Sequence, residues 1–299
     1  MKYIILDLEW NSAYYKPQGR FINEIIQIGA VELNENFEII DTFQVYIKSQ
    51  IVKKLSNRVI SLTGITNERM NSGVGFREAV MRYNKWAGND AVTMTWSTSD
   101  LYAIVENTRL FLDNSVKFNI SKYLDLQSYI QGELKISGYA ITNQISLINA
   151  AQLLGISTDG FELHNAKDDS YLCGLMLKKT YNSERFNKLI KNAEEKSFYE
   201  RLFFRAYYIS KINDERINKE LLKFSCPQCK RTLKRDNKWK FKNNWLRCEC
   251  FCKKCNTRYR AMLSFKQTYD KLITKRRILP IISENGVKNV GLQQLSEKM

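Results

Sequence analysis

Asp7 and Glu9 stand one residue apart at the end of the apolar run Tyr3-Ile-Ile-Leu6. Side chains alternate along an extended strand, so both carboxylates leave one face while Leu6 and Leu8 leave the other. Two more acids sit in comparable settings. Asp100 follows the strand-like run Thr93-Met-Thr-Trp96 and the polar stretch Ser97-Thr-Ser. Asp169 lies five positions after His164, the only histidine in 299 residues. Carboxylates are hard oxygen ligands for divalent cations. Two such ions about 3.5–4 Å apart support displacement at phosphorus when one carboxylate bridges them and others hold the cluster. An imidazole with an ordinary pKa near about 6.5 can accept a proton from water close to neutral pH. Taken singly, these residues are ordinary: a strand-end Asp-x-Glu is commonly surface decoration, and Asp100 suits a helix start. Their order and spacing point to a metal-dependent hydrolase.

A second cluster is made of sulfur. Six of the seven cysteines fall between Cys226 and Cys255, in Cys226-Pro-Gln-Cys229 and Cys252-Lys-Lys-Cys255 with 22 residues between the pairs. With no secretion signal in view, clustering of this kind indicates metal binding rather than a disulfide framework. No second histidine is available, so a structural Zn²⁺ here is expected to take four thiolates, forming a zinc ribbon. Asp236-Asn237 or Asn243-Asn244 can turn a hairpin inside it. Cys248 and Cys250 lie close enough to leave the choice of ligands open, and Cys173 reads as a buried helix residue. Eight Lys and Arg side chains lie between the pairs, interleaved with Trp239, Phe241 and Trp245, and Arg258-Tyr-Arg260 and Phe265 follow. Basic groups track phosphates and aromatic rings stack on unpaired bases. A protein partner for the ribbon is the other expectation.

These groups need elements to position them. Strands are expected at 2–9, 24–33, 42–47, 91–96 and 115–120, with a turn at Tyr14–Gly19. Phe76, Val80, Tyr83 and Trp86 share one helical face, Ser97 or Ser99 can cap the helix after the fourth strand, and 146–154 and 170–179 read as helices. Strands first, then strand and helix in alternation, fit a mixed α/β sheet flanked by helices. Residues 186–222 are charged, aromatic and helix-compatible. The length suits about two domains. Residues 1–180 hold 18 Lys and Arg against 19 Asp and Glu, whereas 181–299 hold 29 against 12. All of the +16 net charge therefore sits in the C-terminal part, which favours an acidic partner, nucleic acid before an anionic membrane. No segment approaches the ~20 apolar residues of a membrane span. The Met1–Leu6 run, cut by Asp7 and Glu9, does not read as a signal peptide, so a cytoplasmic location is expected.

Asp7-Leu-Glu9, Asp100 and His164-x4-Asp169 resemble the three motifs of the DEDDh 3′–5′ exonucleases, which have a ribonuclease H-like fold. Glu24-Ile-Ile-Gln-Ile-Gly-Ala-Val31 is similar to that family's second strand and Leu62-Thr-Gly-Ile65 to its substrate loop. The resemblance covers residues 1–182. It implies that Asp7, Glu9, Asp100 and Asp169 hold two Mg²⁺ or Mn²⁺ ions. It also implies that His164 is the general base releasing nucleoside 5′-monophosphates from a 3′ end. The spacing selects Asp169 over its neighbour Asp168. The Leu8 backbone with Trp10, Leu62, Thr63 and Ile65 is expected to cradle the terminal nucleotide. Trp10 and Ser170 depart from the family pattern, where a small hydroxyl residue and alanine are usual. The expected organisation is thus an exonuclease domain at 1–182, a helical linker at 183–222, a four-cysteine zinc ribbon at 223–268 and a basic tail at 269–299. Single-stranded or structured nucleic acid is the expected substrate, RNA slightly ahead of DNA by analogy with small stand-alone members. The competing reading is a non-catalytic nucleic-acid or protein-binding regulator on the same fold.

Overall fold

The computed structural model describes residues 2–113 and 115–281. The chain divides into two compact units, Met1–Tyr199 and Glu200 onward. In the first, β1 (Lys2–Tyr15), β2 (Arg20–Leu33) and β3 (Ile39–Tyr46) form an antiparallel meander. Short helices α1 (Asn57–Thr63) and α2 (Asn67–Ser72) and the longer α3 (Phe76–Ala87) follow. Then come β4 (Ala91–Thr95), α4 (Ser99–Phe111), β5 (Lys122–Asp125), α5 (Leu126–Ile136), α6 (Leu147–Leu153), α7 (Ala166–Thr180), α8 (Ser183–Leu189), β6 (Lys191–Asn192) and α9 (Lys196–Phe203). The sheet order is β3-β2-β1-β4-β5-β6, with β4 and β5 parallel to β1. This is the mixed sheet with flanking helices that the sequence predicts.

Two departures from expectation have local causes. The first strand runs past Glu9 to Tyr15, because β1 and β2 stay paired as one long hairpin as far as Tyr15–Arg20. Its turn, Lys16–Gln18, closes on Gly19, whose φ of 61° is open to glycine without strain. The strand expected at 115–120 does not form. The Asn84 side chain of α3 takes the backbone of that segment, donating to the Lys117 carbonyl at 2.7 Å and accepting from Asn119 N–H at 2.9 Å. Phe118 then packs on Tyr83, with ring centroids 4.6 Å apart. The strand starts instead at Lys122.

The core between β1, β2, β4, β5 and the helices α5–α8 contains Ile5, Val31, Met94, Leu124, Tyr129, Cys173 and Phe186. Helix α7 lies against β2 and β1, and Gly29 is what lets it do so. A Cβ built there would meet the Lys167 nitrogen at 2.2 Å and the Ala166 carbonyl carbon at 2.3 Å. Backbone, not a flexible side chain, occupies that space. The Ser170 hydroxyl, fully buried, donates to the Gly29 carbonyl at 3.3 Å, so this departure from the family pattern is a seat for the helix.

The second unit contains β7 (Tyr207–Tyr208), β8 (Lys234–Arg235), β9 (Lys240–Lys242), β10 (Trp245–Cys252), β11 (Thr257–Gln267) and β12 (Leu272–Pro280). Its central order is β12-β11-β10-β8, with β9 on β10 and β7 on β11. Part of the segment read as a basic tail is therefore a paired strand, and 282–299 lie outside the described residues. Among the described residues no helix is long and apolar enough to cross a membrane.

Gly29→Ala should push α7 off β2. Overpacking of this kind costs about 1–3 kcal/mol, so the thermal unfolding midpoint of the variant should fall. An unchanged midpoint would mean that α7 does not sit on Gly29.

Candidate active site and cysteine cluster

Strand β1 pairs with β4 only from Lys2 to Ile5. Beyond Ile5 its backbone on that side has no neighbouring strand among the described residues, and the Leu8 N–H donates to the Asp100 carboxylate. On the other side a bulge falls between Glu9 and Trp10: Glu9 faces Gln27 and Trp10 faces Ile25, so Ile26 is the extra residue. Bulges re-aim side chains and are common beside active sites. Ile26 joins Leu55, Ile65 and Met70 in a small separate core. The alternation puts Asp7 and Glu9 on one face, as the sequence predicts.

Helix α4 brings Asp100 in its first turn. Ser97, just before it, has a φ of 82°, a left-handed conformation costly for a residue with a Cβ. It is held there because the Tyr123 hydroxyl donates to the Ser97 carbonyl at 3.0 Å and the Thr95 hydroxyl also reaches it. Further along α4, the fully buried Asn107 accepts from Ile25 N–H at 3.0 Å and donates to the Asn23 carbonyl at 2.7 Å. These are β2 backbone groups left open beside the bulge. Asn107 therefore ties α4, and Asp100 with it, to the bulged strand.

Helix α7 repeats the device. Asp169 lies in its first turn, and His164, just before the helix, has a φ of 63°. The Asp169 carboxylate accepts the His164 N–H, while Asp168 accepts the Glu162 N–H at 3.0 Å. The two adjacent acids thus grip the loop that carries the histidine, Asp169 from within the cluster and Asp168 from outside it. Gln27 on β2 accepts the Ala166 N–H at 3.3 Å. Sequence reasoning missed Gln27, Gly29, Asn107 and Asp168 as positioning residues. The Gln-x-Gly pair inside the second strand was the available signal, since glycine within a strand marks close backbone approach.

Ligand atoms of Glu9, His164 and Asp169 lie within 4.8 Å of one another, with the His164 ring exposed. Asp7 feels Asp100, Glu9 and Asp169 as like charges. Burial, then Asp169 and Asp100, drives Glu9 up to about 8. Burial takes Asp100 up to about 7 despite its own and the Leu8 N–H, and takes Asp169 up to about 6 although His164 restrains it. Asp7 also rises well above the usual carboxylate range, first by burial and then by Asp100. Asp100 is only 3% exposed, and its Oδ1 has no hydrogen-bond partner among the described residues. An all-oxygen set of crowded acids with an orphaned buried oxygen fits a hard divalent cation, which would relieve both the repulsion and the orphan.

The Leu62–Ile65 loop closes α1, with Gly64 at a φ of 66°. Leu62 is 51% exposed, whereas Ile65 is buried in the Ile26 cluster. Thr63 is buried, its hydroxyl donating to the Val59 carbonyl and accepting from Ile65 N–H. Buried Glu24 fixes the chain upstream of this loop by accepting from the Ser49 hydroxyl and the Gln50 and Ile51 N–H groups. Trp10 is half-buried.

In the second unit Cys226, Cys229, Cys252 and Cys255 bring their sulfurs within 4.8 Å of one another. Sγ separations are 3.8 Å for Cys226–Cys255 and 3.5 Å for Cys229–Cys252. A tetrahedron with Zn–S near 2.3 Å has edges of about 3.8 Å. Each pair is followed by a left-handed residue, Lys230 at 63° and Asn256 at 50°. Burial opposes charge on Cys226, but the N–H groups of Cys229 and Gln228 and the Tyr259 hydroxyl outweigh it and lower the thiol. Cys248 and Cys250 lie together, 3.8 Å apart, outside this foursome. Tyr259 and Phe265 are buried and Trp239 packs on the same core. That corrects the expectation that Phe265 and Trp239 stand with the basic residues as stacking surfaces.

The exonuclease family model, RNase T, matches residues 4–175. The 3′–5′ exoribonuclease 1 of Rattus norvegicus is 27% identical over 183 residues, 56% of this chain and 49% of its own length. The probable 3′–5′ exonuclease KapD of Bacillus subtilis (strain 168) is 27% identical over 107 residues, 35% of this chain and 51% of its own. The chain thus spans about half the length of these curated relatives. Among solved structures, the nuclease domain of 3′hExo, a DEDDh family member bound to rAMP, is similar with a TM-score of 0.51 and 25% identity. That match covers 60% of this chain and 90% of that one. With the matched span exceeding half of the chain and taking in Asp7, Glu9, Asp100, His164 and Asp169, the chain belongs to the RNase T exonuclease family, in its DEDDh branch.

Proposed function

We propose that the chain is a 3′–5′ exonuclease that removes nucleoside 5′-monophosphates one at a time from single-stranded nucleic acid. The observation that carries this reading is the convergence of Asp7, Glu9, Asp100 and Asp169 with an exposed imidazole beside two of them. RNA is placed ahead of DNA because the rat relative is named an exoribonuclease and the 3′hExo domain is bound to rAMP. Catalysis is assigned to the first unit, whose core and sheet extend past 182 to take in Phe186 and β6. A zinc-held module is assigned to the second unit, whose sheet takes in β7 and β12, in place of the expected helical linker at 183–222 and ribbon at 223–268. A cytoplasmic setting, which keeps thiols reduced, suits Cys226, Cys229, Cys252 and Cys255 as ligands of one structural Zn²⁺.

Asp7, Glu9, Asp100 and Asp169 would hold two Mg²⁺ or Mn²⁺ ions. Bound there, the ions would stabilise charge on the attacking and leaving oxygens. His164 accepts the proton of the attacking water as its oxygen bonds to the terminal phosphorus. The bond from phosphorus to the 3′-oxygen breaks, and that oxygen takes a proton from solvent. The Asp169–His164 N–H bond and the left-handed His164 backbone aim the ring at the cluster. Leu62 is the loop residue with a side chain free to meet the terminal nucleotide. Thr63 and Ile65 hold the loop in place, and half-buried Trp10 on β1 is assigned to the same nucleotide. The Leu8 N–H is committed to Asp100, so Leu8 supports the site from beneath.

On a 5′-labelled RNA strand with Mg²⁺ or Mn²⁺, the native chain should give a ladder shortening from the 3′ end. Asp7→Ala should leave the strand intact. A ladder that persists in this variant would reject the assigned site. His164→Ala should slow turnover by roughly 10²–10⁴-fold while retaining the thermal shift induced by Mn²⁺; loss of that shift would make His164 a ligand and not the base.

The raised carboxylates also fix a pH dependence. Glu9, Asp100 and Asp169 hold protons in the folded state that the unfolded chain, with acids near about 4, releases. Without Mg²⁺ or Mn²⁺, this cluster's contribution to stability therefore falls as pH rises from about 4 to 8. A bound cation reverses that loss, so Mn²⁺ should raise the unfolding midpoint more at pH ~8 than at pH ~6. Equal shifts at both pH values, with zinc retained throughout, would count against a carboxylate metal site.

A further inference from the structure

Strand β10 alternates strictly in the second unit. Leu246, Cys248, Cys250 and Cys252 point into the core, and Trp245, Arg247, Glu249 and Phe251 form the half-buried opposite face. Directly paired residues of antiparallel strands share a face, so the register extends that face across the sheet. One row runs Lys240–Arg247–Met262–Arg277 from β9 to β12. A neighbouring row places Lys242 beside Trp245 and Lys275 beside Ser264. The Arg277 guanidinium lies 5.1 Å from the Trp245 ring centroid, a preformed cation–π stack. Arg247 has a buried Nε with no hydrogen-bond partner among the described residues. Glu249 is the one acid on this face of β8–β12 among the described strand residues. Lys275 and Arg277 reach this surface because part of the expected tail is strand β12.

From this juxtaposition we infer that the outer face of β9–β12 is a single-strand nucleic-acid platform, Trp245 stacking on a base while Arg247, Lys275 and Arg277 take phosphates. The surface is basic across four strands, and its half-buried ring is already paired with a guanidinium. A polyanion with planar bases satisfies both features at once. The inference rests on the exonuclease reading for its substrate class and gives that substrate a second contact, separate from the carboxylate cluster.

The test measures binding of a 5′-labelled single-stranded RNA to the full zinc-loaded chain carrying Asp7→Ala, which prevents turnover. Lys275→Ala with Arg277→Ala should weaken binding and reduce the slope of log K against log salt by about 1.4, two contacts at about 0.7 each. Trp245→Ala should weaken binding about five-fold or more, and Trp245→Phe, which keeps a ring, should recover most of it. Lys219→Ala with Lys223→Ala removes the same charge beside Leu221 and Leu222, which pack on the core side of the sheet, and should leave the slope nearly unchanged. Equal losses in the two double variants, or native binding in the Lys275/Arg277 variant, would overturn the platform. A dinucleotide separates this result from the exonuclease reading. With Asp7 restored, the Lys275/Arg277 variant should hydrolyse it at the native rate, because it is too short to need the platform. A dinucleotide that only the variant fails to hydrolyse would overturn the platform as a separate contact. Failure by the native chain as well would reject the exonuclease reading and leave the binding result standing.

Discussion

Four carboxylates crowded together, two on one face of β1 and two in the first turns of α4 and α7, are the constraint on which the first unit is built. Like charges repel and burial disfavours each of them, and the fold supplies compensation at the two that stand on helices. It does so with backbone. Asp100 and Asp169 each stand in the first turn of a helix, where exposed N–H groups carry partial positive charge. Each also accepts a backbone N–H, from Leu8 and from His164 respectively. The helices can start so close to β1 only because the chain before each one bends sharply, at Ser97 and His164, through left-handed conformations. Tyr123 secures the first bend, and Asp168 with Asp169 the second. Such strain persists where the surroundings over-determine it, and here they do.

The same constraint explains which parts of the site are legible in the sequence. Alternation along 3–9 puts Asp7 and Glu9 on one face without reference to the rest of the molecule. The apolar run before Ser97 and the polar start of α7 announce helix starts, so the catalytic candidates follow from local pattern. The groups that hold them follow from contacts across the chain. Gln27 and Gly29 meet the start of α7 about 140 positions away, and Asn107 meets β2 some 80 positions away. Nothing local to glutamine, glycine or asparagine tells which backbone they will touch. The segment 115–120 fails for the same reason: its apolar and β-branched residues suit a strand, but Asn84 claims its backbone first. In the second unit the paired Cys-x-x-Cys spacing was readable, but the sorting of the aromatics was not. Phe265 and Trp239 look like Trp245 in sequence; the register of β10 and β11 turns Phe265 inward and Trp245 outward, and Trp239, outside both strands, packs on the same core.

The second unit builds part of its core from sulfur, beside Phe224, Leu246, Leu263 and Phe265. Small units bury a low share of their surface and commonly need a metal or disulfides. The inward positions of β10 after Leu246 are cysteines, of which Cys252 joins the four-sulfur cluster while Cys248 and Cys250 pack beside it. Because inward positions of a strand fix what the outward ones can be, a row of inward cysteines leaves every second residue of β10 free for other duties. Trp245, Arg247 and Phe251 occupy those places.

The residues up to Thr180 carry one more acid than base, and four of those acids meet at the candidate site. A nucleic-acid strand approaching that site alone would meet repulsion until cations neutralised the carboxylates. The remaining residues carry a large positive excess, and part of it, Lys275 and Arg277 on β12, stands exposed without ion-pair partners among the described residues. Long-range attraction of a polyanion scales with the cations it meets, whereas hydrolysis needs anions to hold metals. One surface cannot serve both purposes well. Dividing them between two units lets the carboxylate cluster keep its charge while a separate basic face supplies the affinity.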